Sequence, residues 1–211
     1  LEGSYAFQTS MPPSLDITKV NEPAVGQYFS TLTHELVHTW LPIRLFAVDD
    51  LWLKEGVTSY YGDVLAARAG WLTHDDIRRL TLRYQYMVYG EIEIEKVPLS
   101  DPQLWYEEYT SEAWRRVTYE RGFAVTVLLD VLLRESTENR HSLDDVMKSL
   151  FAEHLRGTIN RHELLRAIYD STGVYATKFF AKYVDSTTAP SVDEVQAGLE
   201  KLIEFGAYSG R

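Results

Sequence analysis

With 211 residues, 45% of them apolar, the chain can bury one substantial core or two small lobes sharing a cleft, and it is too apolar to be disordered. Its 31 acidic residues outnumber 21 basic ones for a formal charge of −10, and no run of Lys or Arg offers a track for phosphates, which argues against a nucleic-acid partner. There is no cysteine, so disulfides, thiolate metal sites and a cysteine nucleophile are excluded, and any metal must be held by His, Asp or Glu.

The chain opens "LEGSYAFQTS", with no initiator Met, basic n-region or apolar h-region, so it reads as a piece of a longer protein that carries no address signal of its own. Within it "SYAFQTS" is the one segment that reads as a strand. Asn21, Glu22 and Pro23 make a helix start, with a cap, an acid for the helix dipole and a proline where its missing N–H does no harm; that helix can run to about Trp40, before Pro42. A second begins near Leu51 and ends at Gly70. Thr73 can cap a third, "HDDIRRLTLRYQYMVYG". The stretch from Glu91 to about Ser111 breaks the helical period with two prolines and reads as an irregular crossing between lobes. Helices resume at about 117–135, 142–155, 160–170, 175–184 and 191–203, with Ser142, Asn160 and Ser191 as caps. The longest apolar run, "FAVTVLLDVLL", is too short to span a bilayer and carries Asp130 in its middle, so no membrane span is expected.

The first helix contains "HELVH". Residues 34 and 38 lie about 40° apart around a helix axis and one turn apart along it, so His34 and His38 can converge on one point, with Glu35 on the same side. Taken alone, the motif leaves two readings open: a zinc pair, or two polar side chains on a helix surface. Catalytic zinc takes a third protein ligand and leaves a fourth position to water. "DDLWLKEGVTSYY" supplies Glu55 on the next helix; the sixteen residues between His38 and Glu55 allow the chain to turn after Pro42 and lay the two helices antiparallel. Gly56 would let those two backbones approach closely; the plain alternative is a weak spot in a helix. His74, His141, His154 and His162 have no partner at ligand spacing and read as surface residues.

"HELVH" followed by "DLWLKEG" resembles the gluzincin metallopeptidases, in which H-E-x-x-H on one helix is completed by a glutamate on the next. "DLWLKEG" is similar to the aminopeptidase N group, while "EGVTSYYGDVLAARAGWLT" and "RHSLDDVMKSL" look more like the glycyl aminopeptidase family, whose members usually carry a β-rich N-terminal region and a trailing PDZ domain. The resemblance implies a mainly α fold with a thermolysin-like zinc-helix lobe over residues 1–100 and a C-terminal helical lobe over 101–211, with at most a small β element near the N-terminus. It makes His34, His38 and Glu55 ligands of Zn²⁺ and Glu35 the general base. "TYERG" resembles the family's Tyr-x-Lys-Gly element, so Tyr119 becomes the hydroxyl that polarises the scissile carbonyl, with Arg121 where relatives have lysine. "LEGS" keeps the end of a family element whose glutamate captures the substrate amine; Glu2 is then that glutamate, against the alternative of a frayed terminus.

Two departures stand out. The gap from His38 to Glu55 is shorter than in relatives, and the acid usually seven residues after the third ligand is replaced by Gly62, with Asp63 following. Asp63 is a candidate to support a ligand histidine, since metal-bound imidazoles donate their other N–H to a carboxylate or carbonyl; a solvated acid is the alternative. The implied activity is peptide hydrolysis by metal-activated water, as an aminopeptidase for small N-terminal residues acting on peptide substrates. A zinc endopeptidase, and a non-catalytic helical binding module on the same scaffold, are the other readings.

Overall fold

The computed structural model describes residues 22–41, 45–48, 50, 52–80, 97–102, 104, 117–154 and 157–209. It is mainly helical, with one small parallel sheet. Helix α1 spans Glu22–Val37 and begins at the predicted Glu-Pro pair. It ends short of the expected Trp40 because the last turn tightens: the N–H groups of Trp40 and Leu41 both donate to Val37 O, at 2.8 and 3.0 Å. The His38 N–H still donates to His34 O at 3.2 Å, so the two histidines keep their one-turn spacing.

Beyond α1 the chain forms β1, Leu45–Ala47, which pairs in parallel with β2, Gly157–Ile159; Leu45 faces Gly157 and Ala47 faces Ile159. Neither strand is foreseen from sequence, because three residues are too few to display an alternation. The predicted strand "SYAFQTS" and Glu2 lie outside the described residues.

The second predicted helix consists of a π-helical turn, Leu53–Val57, running into α2, Thr58–Arg68. Helix α3 is described over residues 74–80 and starts at the expected cap, where Thr73 N–H donates to Asp76 at 2.8 Å and Asp76 N–H donates to Thr73 Oγ1 at 3.2 Å. A second π-helical turn, Val117–Arg121, leads into α4, Gly122–Ser136. Among the described residues four helices follow: α5 (Leu143–Glu153), α6 (Arg161–Thr172), α7 (Thr177–Tyr183) and α8 (Val192–Glu204). The predicted caps Ser142, Asn160 and Ser191 each form a reciprocal capping box, with Asp145, Glu163 and Glu194.

Helix α4 runs through the middle of the core, buried from Gly122 to Val127 among Trp52, Val57, Phe180, Leu199 and Leu202. Asp130, the charge inside that apolar run, is a hub. It accepts from Tyr60 Oη at 2.6 Å, from Leu143 N–H at 2.7 Å and from Arg134 Nε at 2.9 Å, so the buried carboxylate joins α2, α4 and α5 with its charge and oxygens engaged.

Glycines decide how closely these helices pack. A Cβ added to Gly56 would lie 2.4 Å from the carbonyl carbon of Gly122, and one added to Gly122 would lie 2.9 Å from Gly56 Cα. The π-turn before α2 and the start of α4 therefore meet backbone to backbone. The expected close approach of α1 and α2 occurs instead at Gly62, where a Cβ would stand 3.1 Å from His34 Cβ, and Thr33 Oγ1 seals it by donating to Gly62 O at 2.6 Å. Gly122→Ala should therefore cost about 3 kcal/mol or more, at the upper end of overpacking effects because the obstacle is backbone. Gly70→Ala, at φ 78° with open space around it, should cost only about 1–2 kcal/mol for its left-handed backbone. Urea denaturation of the two variants checks the ordering.

Candidate metal centre

Helix α1 carries His34, and the turn that continues it carries His38 beside it, with the two rings edge to face and centroids 4.7 Å apart. Across from them Glu55 projects from the π-turn. One nitrogen from each histidine and one oxygen of Glu55 lie within 4.8 Å of one another, the one such metal-ligating group among the described residues. Glu55 Oε2 is 3.5 Å from His34 Nε2 and 3.4 Å from His38 Nε2. The Glu55 side chain is 2% exposed, and Oε2 is buried with no hydrogen-bond partner.

Burial and charge make this arrangement informative. Burial would raise the Glu55 carboxyl pKa, but the two imidazoles, helped by the Lys54 ammonium, outweigh it and hold the group below the usual carboxylate range. Burial would likewise lower His38, yet Glu55 and the Leu41 carbonyl keep it above its ordinary value. Both shifts say that positive charge is favoured between the three side chains. A divalent cation supplies such charge and satisfies the orphaned Oε2, and a donor set of two imidazoles and one carboxylate suits zinc.

The far nitrogens of the imidazoles are also placed. His38 Nδ1 donates to Leu41 O at 2.8 Å, which leaves the Nε2 lone pair facing Glu55. His34 Nδ1 is 3.4 Å from Ser59 Oγ, a longer contact. Asp63 is 1% exposed, which overturns the reading of it as a solvated acid; it accepts from Ser30 Oγ, one turn before His34 on α1. Tyr119 stacks on His34 with ring centroids 5.7 Å apart and planes at 15°. A cleft of about 210 Å³ opens here, lined by Ser30, Thr31, His34, Glu35, Ser59, Tyr119 and Glu120.

Sequence reasoning missed Ser30, Ser59 and Lys54. The first two stand one helical turn from His34 and Glu55, a spacing that could have singled them out. Arg121 also does more than keep a positive charge at its position. It is fully buried and donates to four main-chain oxygens: Nη1 to Val97 at 2.7 Å, and Nη2 to Tyr183 (3.1 Å), Ser186 (2.8 Å) and Thr188 (3.1 Å). It thereby pins the π-turn that carries Tyr119 to the segment after α7.

A mainly helical chain with this His-His-Glu set, in the order H-E-x-x-H then Glu, has the organisation of a zinc metallopeptidase. The model of the peptidase family M1 domain matches residues 14–184, and the chain belongs to that family. It is accordingly a peptidase, a hydrolase of the zinc metallopeptidase class. No curated protein sequence matches the chain. Among the described residues no helix is long and apolar enough to cross a membrane.

Lysine cannot reproduce the Arg121 fork, since one ammonium has three donors on a single atom. Arg121→Lys should leave buried carbonyls unpaired and destabilise the protein by about 2 kcal/mol or more, measured by urea denaturation.

Proposed function

We propose that the chain is a zinc aminopeptidase in which His34, His38 and Glu55 hold the metal, Glu35 is the general base and Tyr119 assists the scissile carbonyl. The observation that carries this reading is the buried, unpartnered Glu55 Oε2 facing both histidine Nε2 atoms in a chain of peptidase family M1. The nearer likeness to glycyl aminopeptidases, with their preference for small N-terminal residues, rests on the sequence motifs.

Zinc held by two imidazoles and a carboxylate supplies Lewis acidity and lowers the pKa of a bound water to about 7. The remaining work falls to the protein. Glu35 is exposed on α1 and lines the cleft, so its carboxylate can accept the proton of the attacking water and return it to the leaving amine nitrogen. The Tyr119 hydroxyl, on a ring fixed against His34, donates to the carbonyl oxygen as negative charge gathers there. Leu41 O and Ser59 keep the imidazoles oriented. Asp63 acts indirectly, by tying α2 to α1 through Ser30.

Elemental analysis after dialysis should find close to one zinc per chain, with clear loss in Glu55→Ala. Glu35→Gln should keep the metal and lose turnover, whereas Tyr119→Phe should keep it and lose about 100- to 1,000-fold in kcat. A zinc-free parent protein that stays empty when zinc is offered back would return the chain to the reading of a non-catalytic binding module. Peptides with free and acetylated N-termini separate exo- from endopeptidase action, and equal cleavage of both would make the protein an endopeptidase.

A further inference from the structure

The two oxygens of the Glu55 carboxylate have different surroundings. Oε1 lies 2.9 Å from Lys54 Nζ, while Oε2 has no hydrogen-bond partner and faces both histidine Nε2 atoms. In a free carboxylate the oxygens are equivalent, and a divalent cation can take one of them or both. The ammonium removes that equivalence. A charge-assisted N–H···O bond engages Oε1, and the positive charge beside it repels a second cation from that oxygen. The side chains of Lys54 and Glu55 are only 15% and 2% exposed, so little water is at hand to screen the effect.

We infer that Lys54 is a positioning residue that restricts Glu55 to a single metal-facing oxygen, Oε2. The three protein ligands then fill three coordination positions and no more, and the next one stays open for water or a substrate oxygen. The inference rests on the zinc reading above and deepens it: it assigns the openness of the site to a residue that touches neither metal nor substrate. Adjacent side chains on a regular α-helix point well apart, so a contact between residues 54 and 55 is not expected from their positions alone. Here the wider π-turn over Leu53–Val57 and the flexible four-carbon stem of lysine bring Nζ back onto its neighbour. Without a donor at position 54, Oε1 would be a second buried oxygen lacking a partner, and turning it onto the metal would be its cheapest relief.

The test compares the parent with Lys54→Met, which keeps an unbranched stem without the charge, and Lys54→Arg, which keeps the charge. Each is loaded with one equivalent of Co²⁺ for visible spectroscopy, and zinc affinity is measured by chelator competition. If Lys54 limits Glu55 to one oxygen, the methionine variant adds a ligand atom: its cobalt absorption falls severalfold relative to the parent, as coordination rises, and it binds zinc more tightly because the repelling ammonium is gone. The arginine variant stays close to the parent in both. An unchanged cobalt spectrum in Lys54→Met, whatever its stability or affinity, overturns the inference and leaves the pair a structural one. A parent protein that takes up neither metal removes the zinc reading itself, and the role of Lys54 with it, an outcome told apart from the previous one by the empty parent.

Discussion

The contact between Gly56 and Gly122 is the constraint on which the site depends. Helices separated by ordinary side chains keep their axes about 8–10 Å apart, and here the two backbones touch. Gly56 follows Glu55 directly, and Gly122 follows the π-turn that carries Tyr119, so the crossing ties the segment that bears the carboxylate to the segment that bears the phenol. Gly62 does the same for α1 against α2 and sets the depth at which His34 sits. Three residues with no side chain thus set how closely the segments that bear His34, Glu55 and Tyr119 pack together.

Both segments flanking the crossing are π-helical. One extra residue in a turn leaves a local irregularity that a regular helix would avoid, and such turns recur at functional sites because they re-aim side chains without ending the helix. The surrounding structure holds them rigidly. Arg121 binds four carbonyls at the base of one turn, and Asp50, which takes Trp52 Nε1 at 2.8 Å and is also paired with Arg161, anchors the start of the other. Buried polar groups that hydrogen-bond across elements rigidify them, and Asp130 with Tyr60, Arg134 and Leu143 does the same for α2, α4 and α5.

Among the described residues other buried polar atoms also lack a hydrogen-bond partner, Thr58 Oγ1 and Tyr208 Oη included, but Glu55 Oε2 faces two histidine nitrogens, and that placement points to chemistry. A buried carboxylate oxygen left without a partner is costly, and natural structures keep such atoms where a ligand completes them. Local rules are broken at the functional site and obeyed elsewhere, as in the four capping boxes from Thr73 to Ser191.

The sequence by itself determined the periodic and local features: the helices, their capping residues, the one-turn spacing of His34 and His38, and a glutamate on the following helix. These follow from backbone geometry, which repeats every few residues and can be read within a short window. Only the tertiary structure decided which groups meet across distance. It assigned Gly56 to Gly122 rather than to α1, buried Asp63, formed β1 and β2 from segments too short to show a pattern, and turned Arg121 into a clamp on four carbonyls. It also divided the two oxygens of Glu55 between Lys54 and the histidines. No local pattern encodes these choices, because each depends on how closely elements far apart in the chain can pack once their apolar faces are buried.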